Sequence, residues 1–137
     1  MSQLTLQLKD GRSSFQPGEM LHGEVSWDCK LAPAMAEVRL CWFTNGAAVP
    51  EACCVQRVVL ERPAASERRP FSFPLPEGPC SFLGALAALS WAVELILRPG
   101  EDCLRRTFVL GPEGNVIVLS GESSLEEADE DEPDFAD

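Results

Sequence analysis

Tyrosine is missing altogether from the 137 residues, and histidine occurs once, at His22. General acid–base catalysis near neutral pH draws mainly on histidine or a tuned carboxylate, so the stock of catalytic side chains is thin. His22 stands on the polar side of an alternating segment beside Glu24, and no partner for a triad can be named for it. G-x-S-x-G, P-loop and G-x-G-x-x-G motifs are absent. So is any C-x-x-C pair, and adjacent Cys53 and Cys54 cannot by themselves assemble a tetrahedral zinc site. The acidic run Asp129-Glu130-Asp131-Glu132 lacks the glycine and ligand spacing of a calcium loop. The expectation is a protein with no enzymatic activity, no metal and no cofactor. Long apolar runs are lacking too: no window reaches the ~20 uncharged residues of a membrane span. The first ten residues show no basic-then-apolar leader pattern. A cytoplasmic protein without stable membrane insertion is expected.

What the chain does have is enough apolar material for one core. Hydrophobic residues make up 45% of it and charged residues 24%, which fits a single folded domain of ordinary size. Eleven prolines and ten glycines suit many short elements joined by turns. The net charge of −11 is unevenly placed, because nine of the 22 acids fall in residues 122–137, where no base occurs. Residues 1–121 are left at −2 and form the expected folded domain. Residues 122–137 read as an acidic, disordered tail whose plain role is solubility and whose sharper role is an interaction arm. Neither part has the basic stripe that phosphate neutralisation needs, so no nucleic acid is expected as a partner.

Period-two alternation recurs along the folded part, with turn chemistry between the runs. Leu4, Leu6 and Leu8 alternate with Thr5 and Gln7 before Asp10-Gly11. Leu21, Gly23 and Val25 follow Gln16-Pro17-Gly18, and Val38, Leu40 and Trp42 end at Asn45-Gly46. A valine-rich run covers residues 55–61, and Phe71 and Phe73 precede Pro74 and Pro76. Residues 104–110 and 116–119 flank Gly111-Pro112-Glu113-Gly114, which predicts a hairpin. Residues 82–97 are rich in alanine and leucine, good helix formers. From Leu89 to Leu97, however, they alternate with a period of two. That predicts a loop or short turn over 82–88 and a central strand over 89–97. The sum is an all-β, antiparallel, immunoglobulin-like sandwich.

Cysteine is plentiful for a chain without signs of secretion: Cys29, Cys41, Cys53, Cys54, Cys80 and Cys103. Reduced structural thiols are expected. Cys41, within Leu40 to Phe43, and Cys103, just before another apolar stretch, are predicted to lie in the core.

Two patches together resemble the N-terminal half of the arrestin superfamily, and the α-arrestins most closely. Residues 15–25, FQPGEMLHGEV, match the pattern F-x-P-G-E-x-L-x-G-x-V. Residues 71–79, FSFPLPEGP, continue through Ser81, Phe82 and Gly84 into Leu89-Ser90-Trp91-Ala92-Val93. This looks like the family's F-x-F-x-L-P and S-F-x-G segments leading into a strand. The resemblance covers most of residues 4–119 and implies an arrestin N-domain-like sandwich, one where an arrestin has two. A mechanism based on rotation between two halves is therefore not carried over within one copy. The P-P-x-Y motifs by which α-arrestins recruit ubiquitin ligases require tyrosine and are absent. Lys9 and Arg12 do not match the phosphate-sensing residues of visual and β-arrestins.

The function expected is a protein-interaction module, an adaptor or scaffold that binds other proteins through exposed edge strands or loops. Leu4, Leu6 and Leu8 mark the candidate edge. Arg68, Arg69, Arg105 and Arg106 are candidate docking residues for an acidic or phosphorylated peptide or for the acidic tail. Within a strand, Arg105 and Arg106 must point to opposite faces. The alternative is a structural subunit forming a homodimer, two copies standing in for the missing second sandwich.

Overall fold

A computed structural model of the chain describes residues 2–46, 50–100 and 102–119. The expected acidic tail at 122–137 lies outside the described residues. Among these residues ten strands run in the order β1 (Gln3–Leu8), β2 (Ser14–Phe15), β3 (Met20–Asp28), β4 (Met35–Asn45), β5 (Ala52–Leu60), β6 (Ser66–Pro74), β7 (Phe82–Leu83), β8 (Ala88–Arg98), β9 (Asp102–Leu110) and β10 (Ile117–Val118). They form two sheets. The smaller has the order β1-β3-β6. The larger runs β10-β7-β8-β4-β5, with β9 also paired to β8 and β2 paired to β9.

The alternating leucines, valines and aromatics meet between the sheets. Leu6, Leu21, Val25 and Phe73 from the small sheet face Val38, Leu40, Trp91, Val93 and Leu95 from the large one, all fully buried. Phe15 packs edge-on against Phe108 at 5.5 Å between ring centroids. Both buried indoles find acceptors: Trp27 Nε1 donates to the Ala64 carbonyl and Trp91 Nε1 to that of Pro79, each at 2.7 Å. This satisfies the polar end of a large apolar side chain.

Several local features follow from residue type. Gly18 has φ +84° after Pro17, and the Glu19 amide donates to the Gln16 carbonyl at 3.1 Å, so the chain turns sharply into β3. Gly23 is needed for a different reason. A Cβ there would lie 2.5 Å from Phe71 Cζ and 2.7 Å from the Gln7 carbonyl oxygen. Pro70, inside β6, is tolerated because β6 is an edge strand, whose outward side needs no amide donor. Of the contested segment, residues 88–97 lie in β8, which pairs with β4 along its whole length, from Met35↔Arg98 to Asn45↔Ala88. Residues 84–87 turn as expected, but Phe82 and Leu83 are not loop: they form β7, held by pairing with Leu89 and Ala88.

The structure corrects three further expectations. Residues 111–114 do turn, but no hairpin results. β10 leaves β9 and pairs in parallel with β7, its Ile117 amide donating to the Ser81 carbonyl at 3.0 Å. The end of β9 is already taken by β2, also in parallel, with Ser14↔Val109 and Phe15↔Leu110. The sandwich is thus not wholly antiparallel. Third, Cys41 and Cys103 are not core residues: Cys103 is exposed and Cys41 only partly buried. The alternation that sends Leu40 and Trp42 inward sends Cys41 outward.

Candidate partner-binding edges

β1 is the outer strand of the small sheet. The side chains of Leu6 and Leu8 are buried in the core, with Leu4 packed partly against it. What the leucines present to the outside is therefore backbone. The Leu6 carbonyl points away from β3 and accepts a hydrogen bond from Arg106 Nε at 3.0 Å. Backbone direction alternates along a strand, so Leu4 and Leu8 turn their amides and carbonyls to the same open side. Gln7, between them, turns its carbonyl towards β3 at Gly23.

Arg106 reaches across from β9, which pairs β8 on one side. On its other side, residues 102–107 form no strand pairing among the described residues, although Arg106 reaches β1. β1 and β9 therefore border an open groove of about 490 Å³, lined by Leu8, Arg12, Arg106 and Thr107 among others. At its end Arg12 is held by Glu19 through two hydrogen bonds of 2.9 and 3.0 Å and lies 4.3 Å over the Phe15 ring. This pairing and the Gln16 amide hold the Glu19 carboxyl at about 2, well below the ordinary carboxylate range.

The four candidate arginines do not form one patch. Arg105 and Arg106 lie on opposite faces of β9: Arg105 pairs with Glu94 at 2.6 Å and covers the Phe43 ring at 4.5 Å on the outer face of the large sheet. Arg69 is engaged by Glu67 and by the Glu61 carbonyl, the latter at 2.8 Å, and ties down the β5–β6 loop. Arg68 is 72% exposed and only loosely paired, 3.8 Å from Glu24. Three of the four are thus committed within the fold.

Other features were not anticipated from the sequence. Strand register lines up Arg57, Arg39, Glu94 and Arg105 across β5, β4, β8 and β9 on the outer face. Glu37, two residues before Arg39 on that face, is fully buried. Its Oε2 lies 2.8 Å from Arg39 and 3.7 Å from Arg57, while its Oε1 has no hydrogen-bond partner. β5, the valine-rich run, is a nine-residue edge strand exposed along most of its length. At the opposite edge Leu83, Leu86, Val118 and Leu119 form an apolar ridge, with Leu86 85% and Val118 71% exposed. The sequence signal for that ridge was only a short apolar run at residues 116–119. Among the described residues no group of three or more His, Cys, Asp or Glu could hold a metal ion, and no helix is long and apolar enough to cross a membrane.

No family model and no curated protein matches the sequence. Among solved structures, the sandwich is similar to Spo0M, a sporulation control protein from Bacillus subtilis. The TM-score is 0.59 at 14% identity, covering 81% of this chain and 49% of that one. The chain therefore spans about half the length of Spo0M. A beta-glucosidase from Listeria innocua aligns with a TM-score of 0.40 at 18% identity, over 86% of this chain and 17% of the enzyme. At that score it carries no argument. The Spo0M likeness is one of fold: the chain is an all-β, arrestin-like sandwich.

Proposed function

We propose that the chain is a non-catalytic protein-interaction module, a cytoplasmic adaptor or scaffold that takes an extended segment of another protein along β1. The observation that carries this reading is the open side of the sandwich. There the outward backbone of β1 faces a groove and is capped at Leu6 by Arg106. An unpaired strand edge is a template for an added strand, with main-chain hydrogen bonds supplying affinity. Spo0M is described as a sporulation control protein, and a regulatory rather than catalytic role for this chain is of the same kind. Within the superfamily, the motifs at residues 15–25 and 71–79 favour the α-arrestin branch.

Leu4→Pro tests the reading. It removes an outward amide from β1, whereas a proline at fully buried Leu6 would also empty part of the core. Affinity capture from native lysate compares the full chain, residues 1–121 and the Leu4→Pro variant at low and moderate salt. The expected result is a partner held by the first two and lost by the variant, with the far-UV circular dichroism unchanged. A partner that the variant retains would place binding elsewhere and reject β1.

A second reading, self-association into a homodimer, is favoured by the apolar ridge of Leu83, Leu86, Val118 and Leu119. Exposed apolar patches of this kind mark interaction surfaces.

A further inference from the structure

Cys41 on β4 and Cys54 on β5 stand directly opposite each other in the strand register. Both lie on the face turned away from the core, since the neighbouring pair, Trp42 and Cys53, occupies the other face. Opposed residues of an antiparallel pair have Cα atoms about 4.5–5.5 Å apart. That falls within the roughly 4.4–6.8 Å that a disulfide spans. The register slips by one residue beside this pair: Leu40 opposes Gln56 and Cys41 opposes Cys54, so Val55 is an extra residue. Such a bulge increases local twist and re-aims the adjoining side chains.

The two thiols differ in access. Cys54 is exposed on an edge strand, whereas Cys41 is partly buried between β5 and β8, its Sγ donating to Glu94 Oε1 at 3.9 Å. Burial pushes the Cys41 thiol up to about 12, with Cys54 and Glu94 adding to the effect. No other cysteine competes on geometry. Cys53 faces Trp42, and Cys29 and Cys80 lie outside both β4 and β5. Cys103 pairs with Ile96 and through it with Glu37, two strands and four residues from Cys41. By strand spacing that is roughly 16 Å.

We propose that Cys41 and Cys54 form a reversible oxidation site that exchanges with low-molecular-weight disulfides. The exposed Cys54 thiolate attacks one sulfur of the small disulfide, whose S–S bond breaks and releases one small thiol. Cys54 is then held as a mixed disulfide. Cys41 loses its proton, and its sulfur attacks that of Cys54, displacing the second small thiol. In balance, two protein thiols and one small disulfide become one protein disulfide and two small thiols. The cysteine pair is oxidised and the small disulfide reduced. The product is a staple between the edge strand β5 and its neighbour β4, opened again by an excess of small thiol.

The test uses the full chain, reduced and freed of reductant, then incubated with oxidised glutathione. Remaining thiols are capped before mass spectrometry. Cleavage after Arg39, Glu51 and Arg57 separates Cys41 from Cys53 and Cys54. The expected product is lighter by two hydrogen atoms, with fragments 40–51 and 52–57 linked. The link persists in Cys53→Ser, is lost in Cys54→Ser, and is reversed by excess reduced glutathione. A lasting glutathione adduct on Cys54, a bridge through Cys53, a cross-linked dimer or no reaction at all would each overturn the proposal. In the wild type, fragment-ion sequencing of the linked 52–57 peptide shows whether the capped thiol is Cys53 or Cys54, which decides the matter even if a variant folds poorly.

Discussion

Arg12 and Glu19 show how much of the candidate site is decided by single residues. The carboxylate is depressed mainly by its hydrogen bonds to Arg12 and then by the Gln16 amide. A depressed carboxylate contributes stability above its unfolded value, near 4.5, and loses it as pH falls towards about 2. NMR titration of Glu19 should therefore give a midpoint near 2, and Arg12→Ala should move it up towards the ordinary range. An unchanged midpoint in the variant would show that the loop backbone, not the guanidinium, holds the charge. At this scale the sequence was legible wherever side-chain direction follows from alternation. The opposite aims of Arg105 and Arg106 could be read in advance. Glu37 could not: alternation places it outward, but only the fold lays Arg39 and Arg57 over it. Cys41 is the reverse case, since its outward position was implied by Leu40 and Trp42 and obscured by the habit of burying cysteine.

At the scale of elements, long strands could be read, whereas of the short ones only β10 could be placed, and its partner could not. β1, β3, β4, β6, β8 and β9 carry their own period, and even the helix-forming composition before Leu97 gives way to pairing with β4 along all of β8. β2, β7 and β10 have two residues each, too few to show any period, and their partners are set by what the long strands leave open. The expected hairpin failed for this reason, as β2 had already occupied the end of β9. The small sheet depends on one close approach. Gly23 lets Phe71 and the Gln7 backbone meet β3 at 2.5 and 2.7 Å from where a Cβ would sit. Gly23→Ala should cost about 1–3 kcal/mol, the usual penalty of overpacking. Urea denaturation measures it, and a loss below about 0.5 kcal/mol would mean that β1 shifts aside freely.

For the whole molecule, two exposed features stand apart: the outward edge of β1 and the apolar ridge at the far end of the large sheet. The apolar ridge predicts self-association, and light scattering at low micromolar concentration should detect a dimer. Val118→Glu, at a 71% exposed position, should return it to a monomer without changing the fold. A wild-type monomer would remove this reading and leave β1 as the surface of interest. The bond between Arg106 and Leu6 has a consequence in time as well as in space. It joins residues 100 apart in sequence, and the pairing of β2 with β9 spans a similar length. Contacts so distant must bear the entropy of closing a long loop before they return anything, which places folding in the slow, millisecond-to-second class of β-sandwiches. During synthesis β1 and β2 emerge well before β9. Until the ninth strand arrives, the Leu6 carbonyl lacks its Arg106 donor, so the newly made first strand carries a more exposed edge than the finished one.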